Sequence, residues 1–232
     1  MTLHSLGNGY KALVIGVSGS IGQAFCRLLR ADPNCASVRE LSRSSSPALD
    51  LETPTSIAEA AAALAGEAPY QLILHTAGLL HRDGIAPEKS LAAIEADALQ
   101  AVFQVNALGP ALVLRHFLPL LDNQGAMAML SAKVGSIGDN RLGGWYAYRA
   151  SKAALNMLIK TAAIELARSK SKARLLSLHP GTVISPLSQP FRGATAARPA
   201  EQAAAEMLRV IDSLGPEHSG SFHAYDGQPL PW

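Results

Sequence analysis

The sequence predicts an α/β fold of the Rossmann type, in which a doubly wound parallel sheet carries helices on both faces. Two observations lead to this prediction. Short apolar strands alternate with amphipathic helices along the chain, and the strands are continuously apolar instead of alternating between apolar and polar residues. Such strands are typical of a parallel sheet that is buried on both faces. Because ligands bind these sheets at the carboxyl ends of the strands, the residues after each strand are candidates for a site.

Apolar runs bounded by turn residues indicate the strands, and apolar residues three and four positions apart indicate the helices. Phe25, Leu28 and Leu29 show the helical spacing, and the segment from Ser56 to Glu59 has a capping-box pattern that predicts a helix start. The predicted strands are 12–16, 38–41, 70–75, 126–130, 174–179 and 221–225. The predicted helices are 23–30, 56–64, 90–97, 99–120, 148–168 and 199–214.

The composition favours one globular domain over residues 1–232. Of the 232 residues 48% are hydrophobic and 16% charged, which excludes a disordered chain. The net charge of +2 is too small to indicate a polyanion, so we expect no nucleic-acid partner. The basic run from Arg168 to Arg174 follows the longest predicted helix, where cations offset the helix dipole.

Cysteine usage and hydropathy limit the other classes. Cys26 and Cys35 are the only cysteines, and neither has a Cys or His neighbour at metal-ligand spacing, so we expect no metal. The sequence has no cleavable leader and no run approaching the roughly 18 apolar residues of a membrane span. We therefore expect a cytoplasmic protein with free thiols and no membrane partner.

A glycine-rich turn, Gly16-x-x-Gly19-x-x-Gly22, lies between the first predicted strand and the first predicted helix. Glycines there permit a tight turn and let the backbone approach a pyrophosphate at the helix N-terminus. The position of the motif favours dinucleotide binding over a turn without a ligand.

Tyr148 and Lys152 are four residues apart in the longest predicted helix, so both side chains share one face. A fixed ammonium beside a phenol favours the phenolate and would lower a pKa that is ordinarily about 10. The pair therefore predicts a proton donor that works near neutral pH.

With these residues the chain resembles the short-chain dehydrogenase/reductase family along essentially its whole length. The stretch from Gly135 to Lys152 looks most like the branch that contains C-factor-like signalling proteins and small carbonyl reductases. The residues that carry the resemblance are Tyr148-x-x-x-Lys152, the glycine-rich turn, Asp50-Leu51, His75-Thr76-Ala77-Gly78, Asn106 and Pro180-Gly181.

The resemblance implies a catalytic role for several residues. Tyr148 would pass its proton to a carbonyl oxygen as hydride arrives from a nicotinamide. Lys152 would hold the nicotinamide ribose and lower the pKa of Tyr148. Asn106 would keep a helix bend and a water open so that protons reach Lys152. From the sequence alone, an Asn that only caps or kinks a helix is an equal alternative for Asn106.

The resemblance also implies where the cofactor binds. Asp50 and Leu51 would flank the adenine, residues 180–185 would position the nicotinamide amide, and residues 186–194 would form a mobile cover over the substrate. The full set of expected cofactor residues is Gly16, Ser18, Gly19, Ser20, Ile21, Gly22, Arg43, Asp50, Leu51, Ala77, Gly78, Tyr148, Lys152, Pro180, Gly181 and Val183.

Arg43 decides the cofactor prediction. A basic residue after the second strand binds a 2′-phosphate, whereas an acidic one binds a 2′-hydroxyl. The sequence there is Leu41-Ser42-Arg43, which favours NADP(H). The alternative is a solvated loop arginine.

Two departures from the family pattern concern the turns. Ser20 stands where the single-domain members have their second glycine. His75 and Thr76 replace an Asn-Asn pair, so one link between neighbouring strands is expected to be rewired, with His75 in a structural role. We likewise expect His179 to be a packed residue and not an acid or base.

A third departure concerns catalysis. The position that normally carries the substrate-binding serine is Ala132, and the hydroxyl stands one residue earlier, at Ser131. Neighbours on a strand face opposite sides, so Ser131 can serve only if the strand end twists. Ser136 is a second candidate. Loss of one preorganised donor costs about 10²–10³ in rate, which predicts a weakened enzyme.

The sequence therefore predicts an NADP(H)-dependent oxidoreductase of small or medium carbonyl or alcohol substrates, with Ser131 beside Tyr148. A dinucleotide-binding regulatory or signalling protein is the alternative, because of Ala132. A methyltransferase is disfavoured, since it would give Tyr148 and Lys152 no role. From the resemblance we expect a homodimer or homotetramer that pairs the helices 99–120 and 148–168.

Overall fold

The computed structural model describes residues 2–169, 171–191 and 197–232. These residues form a six-stranded sheet in the order β2-β1-β3-β4-β5-β6, and all neighbouring strands are parallel. The predicted fold class and the six predicted strands are confirmed. The strands are β1 (Tyr10–Ile15), β2 (Cys35–Leu41), β3 (Tyr70–His75), β4 (Leu121–Leu130), β5 (Arg174–His179) and β6 (Ser221–Ala224).

Helices cover both faces of the sheet. They are α1 (Ser20–Arg30), α2 (Pro54–Leu64), α3 (Ala96–Phe103), α4 (Gly109–Phe117), α5 (Tyr146–Arg168) and α6 (Ala200–Ser213). Ala12 and Val14 of β1 point into the core shared with α1 and α6, whereas Leu13 and Ile15 point into the core shared with α2, α4 and α5. Both sides of each central strand are thus buried, which is why the strands are continuously apolar.

Most of the predicted helix starts differ from the structure. α1 begins at Ser20 and α5 at Tyr146, and the predicted helix 90–97 is a short 3₁₀ turn, Leu91–Ala93, followed by the start of α3 at Ala96. Helix α2 begins at Pro54, because proline is well suited to the first helical position, and the Ser56 hydroxyl does not cap it. That hydroxyl accepts the N–H of Asp50 at 2.8 Å instead.

The predicted helix 99–120 is not continuous. A π-helical turn, Gln104–Leu108, separates α3 from α4, and a 3₁₀ turn, Leu118–Leu120, ends the segment. Among the described residues, the stretch Ala96–Leu120 is long and apolar enough to cross a membrane by length and composition, and 44% of its apolar window is buried in the protein. A helix in a protein core passes the same test, so this is weak evidence for a membrane span.

The sheet order places a crevice at the carboxyl ends of the central strands. The chain moves outward from β1 to β2 and then returns to the other side of β1 for β3. Strand order reverses at that point, and in doubly wound sheets this is where ligands bind.

Candidate active site

The glycine-rich turn packs tightly against the loop after β3. Gly16 has a φ of +95°, and a Cβ there would lie 2.7 Å from the backbone nitrogen of Ala77. A Cβ at Gly22 would lie 2.5 Å from the carbonyl oxygen of Gly16. Both positions therefore need glycine for packing, and the turn brings α1 close to the end of β1.

Gly19 differs from the other two glycines. A Cβ there would lie 3.5 Å from the Gly16 oxygen, which is an ordinary contact. Gly19 is the N-cap residue of α1, and the helix has neither a side-chain cap bond nor an acidic residue in its first turn within the described structure. The first N–H groups of α1, beginning at Ser20 and Ile21 beside the exposed Ser18, can therefore bind an anion.

Thr76 and Gly78 lie in the loop after β3. The Thr76 hydroxyl donates to the carbonyl oxygens of Ile15 at 2.9 Å and Gly16 at 3.1 Å, so Thr76 makes a link between β3 and β1. A Cβ at Gly78 would lie 3.3 Å from Lys152 Nζ. The absence of a side chain at Gly78 gives Lys152 its room.

Arg43 lies exposed at the carboxyl end of β2 and makes no ion pair with any residue that the structure describes. The loop around it is fixed by serine hydroxyls. Ser42 Oγ accepts the N–H of Ser44 at 3.2 Å, and Ser45 Oγ donates to the Ser42 carbonyl at 2.8 Å. Arg43 thus follows β2 in an ordered loop, at the end of the sheet that carries the crevice.

Asp50 and Leu51 differ in how far they can reach a ligand. Leu51 is only 6% exposed, and a Cβ at Gly109 would lie 2.8 Å from its Cβ, so its side chain packs into the core. Its carbonyl accepts a bond from Gln104 at 2.9 Å. The Asp50 carboxylate accepts the N–H of Glu52 at 3.0 Å. Of the two, Asp50 is the more accessible.

Tyr148 and Lys152 come together on the buried face of α5. Lys152 is 3% exposed, donates to the Leu130 carbonyl at 2.9 Å, and has Nζ 5.8 Å from the centroid of the Tyr148 ring. Burial lowers the pKa of Lys152 to about 8. Burial also raises the pKa of Tyr148 to about 12, the opposite of the lowering that the spacing led us to expect. The reason is that burial removes water from around the phenolate and so disfavours the charged form.

Asn106 lies fully buried in the π-helical turn, and both polar atoms of its side-chain amide form hydrogen bonds. Oδ1 accepts the N–H of Leu79 at 2.8 Å, and Nδ2 donates to the Leu79 carbonyl at 2.7 Å and to Ser151 Oγ at 3.1 Å. Ser151 in turn donates to the Tyr148 carbonyl at 2.9 Å. The expected helix bend is present, and π-turns occur frequently at functional sites. Asn106 joins this turn to the loop after β3 and to α5.

Ala132 stands at the position that normally carries the substrate-binding serine, and it packs in the same cluster as Tyr148. Ala132, 8% exposed, belongs to a buried apolar cluster with Leu80 and Tyr148. Ser131 is 4% exposed, and its hydroxyl has no hydrogen-bond partner among the described residues. The Ser136 hydroxyl accepts the N–H of Asp139 at 3.1 Å. A role for either serine stays a prediction.

Aromatic side chains close the space beside Tyr148. The Trp145 ring lies 6.2 Å from the Tyr148 ring and 5.1 Å from Phe191, and His81 lies 5.4 Å from Phe191 between ring centroids. His81 Nε2 lies 3.2 Å from the carbonyl of Leu187. The described part of the expected cover, residues 186–191, therefore reaches the Tyr148 cluster. Residues 192–194 lie outside the described structure.

The Pro180-Gly181 turn is fixed by a residue that sequence reasoning missed. Gly181 has a φ of +73°, and a Cβ there would lie 2.9 Å from the Tyr225 ring. The Arg198 guanidinium stacks on this ring, 3.5 Å from its centroid, and pairs with Glu206 at 2.6 Å. Val183 and Arg198 form a backbone bridge. No local motif signals Arg198, because the nearest side-chain partner that the structure describes lies eight positions away.

Two histidines near the site, the fully buried His75 and the partly buried His179, have lowered pKa values. Burial, together with the charge of Lys152, lowers the pKa of His75 to about 3. Burial, with Lys133 and Arg198, lowers the pKa of His179 to about 4. Both values support a packed role and exclude protonated histidine at neutral pH.

Glu88 is a second residue that sequence reasoning missed. Its carboxylate accepts the N–H of Ala147 at 3.1 and 3.3 Å, one residue before Tyr148. It lies 59 positions away in the chain, which leaves no local signal.

Comparison with known proteins agrees with this geometry. A family profile described as enoyl-(acyl carrier protein) reductase matches residues 31–217. The 1-hydroxy-2-glutathionyl-2-methyl-3-butene dehydrogenase of Rhodococcus sp. (strain AD45) is 36% identical over 188 residues, 80% of this chain and 79% of the relative. The C-signal protein of Myxococcus xanthus is 44% identical over 133 residues, 56% of this chain and 76% of the relative.

A solved structure shares the fold. The NADPH-bound carbonyl reductase from chicken fatty liver has a TM-score of 0.84 at 23% identity, over 98% of this chain and 96% of that one. The family profile covers most of the chain, and the Rhodococcus relative covers four-fifths of it. The chain therefore belongs to the short-chain dehydrogenase/reductase family.

Proposed function

We propose that this protein is an NADPH-dependent reductase of small or medium carbonyl compounds, with Tyr148 as the proton donor. The observation that carries the proposal is the buried Tyr148–Lys152 pair at the carboxyl ends of β3 and β4, tied to Asn106 through Ser151. A phenol and an ammonium fixed together beside an apolar cluster suit proton transfer to a substrate oxygen.

The described residues fit a nicotinamide dinucleotide. A Cβ at Gly19 would make only an ordinary contact, so packing within the protein does not require glycine there. The first turn of α1 offers N–H donors to a phosphate. Arg43 would hold a 2′-phosphate at the end of β2. Gly78 leaves space beside Lys152, whose ammonium would hold the ribose hydroxyls. The bound dinucleotide would supply the hydride.

The pKa values support a direction of proton flow. Because burial raises the pKa of Tyr148 to about 12, this phenol keeps its proton at neutral pH and can donate it to a developing alkoxide. Burial lowers the pKa of Lys152 to about 8, so its ammonium exchanges protons near physiological pH. Lys152 can therefore return a proton to Tyr148 after each turnover.

A dinucleotide-binding signalling protein is the second candidate, and the methyl group of Ala132 is the observation that favours it. Ala132 stands in contact with Tyr148, where a second hydroxyl donor would stabilise the oxyanion. The similarity to the C-signal protein of Myxococcus xanthus points the same way. The fold and the cofactor residues suit both candidates.

We also propose that the protein is cytoplasmic and assembles as a homodimer or homotetramer through its long helices. Met157 and Ile164 are 66% and 48% exposed on α5 and, seven residues apart, share one face. Leu108 is 54% exposed at the start of α4. Light scattering of the purified protein would measure the mass in solution, and a monomer would contradict this assembly.

The test of the proposed function measures NADPH oxidation with reactive dicarbonyls and quinones. Tyr148→Phe should lower kcat by about 10³-fold or more, because it removes the general acid. Tyr146→Phe, two residues earlier in the same helix, is the matched control and should keep the rate. NADPH binding should persist in both variants.

Three outcomes separate the candidates. Turnover that depends on Tyr148 supports the reductase. NADPH binding without turnover across a broad carbonyl panel supports the signalling protein. Failure to bind NADPH would contradict the cofactor assignment itself.

A further inference from the structure

Three consecutive residues before α5 have left-handed backbones. Gly143, Gly144 and Trp145 have φ values of +62°, +65° and +54°. Glycine adopts this conformation at little cost, whereas a tryptophan is strained in it. Such strain persists only where the surrounding structure imposes it, and it occurs most often at functional sites.

Glu88 imposes part of this conformation. Its carbonyl accepts the N–H of Trp145, and its carboxylate accepts the N–H of Ala147. Glu88 is 6% exposed, so these bonds form away from water, where an unpaired N–H would be costly. One residue thereby fixes both the left-handed turn and the first turn of α5.

Arg149 imposes the rest from the other side. Its Nε donates to the carbonyls of Gly143 at 3.2 Å and Gly144 at 2.9 Å. Its guanidinium also donates to the Val134 carbonyl at 3.2 Å, in the segment after β4. The left-handed turn is thus bonded to α5 and to the loop that carries Ala132.

The result is the placement of the Trp145 ring. It meets Tyr148 at an angle of 78° and Phe191 at 61°, both edge-to-face arrangements. Leu80, Ala132 and Val134 complete the apolar surface around Tyr148. An aromatic edge and face at this place offer contacts to a flat group attached to a carbonyl carbon.

We propose that Trp145 determines specificity for carbonyl substrates that carry a flat apolar group, and that Glu88 and Arg149 are positioning residues that hold Trp145 in its left-handed conformation. The inference rests on the proposed function, since it places the reacting carbonyl beside Tyr148. It adds the substrate class and the residues that select it.

The test compares two substrates, diacetyl and its phenyl-substituted analogue, by the ratio of their kcat/KM values. Trp145→Gly should reduce the preference for the phenyl compound by about 10-fold, mainly through KM, because an aromatic contact is lost. Glycine relieves the left-handed strain and so offsets part of the ring packing that the variant loses, and circular dichroism should show a folded protein. A purely structural role for Trp145 would lower kcat/KM for both substrates equally.

Glu88 is tested through Trp145 in a double-mutant cycle. Glu88→Ala removes only the carboxylate that accepts the Ala147 N–H, so it should reduce the phenyl preference less than Trp145→Gly does, and when added to Trp145→Gly it should reduce that preference no further. Glu88→Gln keeps an acceptor for the Ala147 N–H and should retain most of the preference. Glu95→Ala is the matched control, because Glu95 is an exposed glutamate at the N-cap of α3 without a side-chain cap bond in the described structure.

The outcomes distinguish this inference from the proposed function. If the wild type reduces neither substrate, the proposed function fails. If it reduces both and Trp145→Gly leaves the ratio of kcat/KM unchanged, this inference is overturned while the reductase stands. Additive effects of Glu88→Ala and Trp145→Gly would overturn the positioning role of Glu88.

Discussion

The two ends of the candidate site are held in place by different means. At the cofactor end, after β1, backbone packs on backbone, and a Cβ at Gly22 would lie 2.5 Å from the Gly16 carbonyl. At the substrate end, before α5, side chains reach across the chain. Asn106 bonds Ser151 over 45 positions, and Glu88 bonds Ala147 over 59.

This difference indicates which end of the site tolerates substitutions. The turn leaves no room for a Cβ at Gly16 or Gly22, so substitutions at these two positions disturb it. An end held by side-chain hydrogen bonds can be altered one residue at a time while the sheet stays intact. We therefore expect substitutions at the cofactor end to affect folding or cofactor affinity, and substitutions at the substrate end to affect rate and specificity.

Gly22→Ala, at the cofactor end, should have the largest effect on stability. The new Cβ meets backbone atoms that cannot move without shifting β1 or α1, so the variant should lose about 3 kcal/mol of stability or fail to fold. Urea unfolding followed by circular dichroism measures this loss. A variant as stable as the wild type would show that the turn adapts.

Gly19→Ala is the matched contrast within the same turn. Its Cβ would make only an ordinary contact and its φ of −85° suits alanine, so the fold should persist. A methyl forced against a bound phosphate should raise the Kd for NADPH about 10- to 100-fold. Unchanged NADPH affinity, measured by fluorescence titration, would contradict phosphate binding at this turn.

Arg43→Ala probes the outer edge of the cofactor end. Loss of a charged hydrogen-bond donor should raise the Kd for NADPH about 10-fold and leave the Kd for NADH unchanged. Arg39→Ala is the control, since Arg39 is an exposed arginine in β2 that pairs with Glu67. Equal losses for both dinucleotides would contradict a 2′-phosphate role for Arg43.

The same contrast explains what the sequence could predict. The six strands and the glycine-rich turn leave local patterns, because a buried parallel strand is apolar throughout and a tight turn needs glycine. The π-helical turn at Gln104–Leu108 leaves no local pattern, and only the family resemblance led us to expect a helix bend at Asn106. Glu88 and Arg198 could not be found, because the side-chain partners that the structure describes lie 59 and eight positions away.

The pKa of Tyr148 shows a further reason. The four-residue spacing in the helix places Lys152 beside Tyr148, and from the charge of Lys152 alone we expected a lowered pKa of Tyr148. Burial decides the sign instead and raises the pKa to about 12. Burial depends on how α5 packs against the sheet, which a four-residue spacing does not contain.

Ala132→Ser sharpens the comparison at the substrate end. A hydroxyl placed in the cluster with Tyr148 adds a donor to the developing oxyanion and should raise kcat about 10-fold, below the full value for an optimised donor. Ala150→Ser, on the exposed part of α5, is the control. No gain in kcat, together with a loss of rate in Ser131→Ala, would mean that Ser131 already supplies the hydroxyl.

The smallest effect is expected where the two ends meet, at His75 on the last position of β3. Its ring nitrogens have no hydrogen-bond partner in the described part of the chain, and burial with the charge of Lys152 lowers its pKa to about 3. An unfolded histidine has a pKa near about 6.5, so between these values the unfolded state binds more protons. Stability should therefore fall as the pH drops below about 6.5, and His75→Asn should make this fall shallower.

Melting temperatures between about pH 7 and pH 5 measure this fall in stability, and substitution of the exposed His4 by Asn is the control. His179, whose pKa burial also lowers, leaves a residual slope. Equal slopes in wild type and His75→Asn would mean that His75 gains a proton without unfolding the protein, and hence that the junction under Lys152 is open to water.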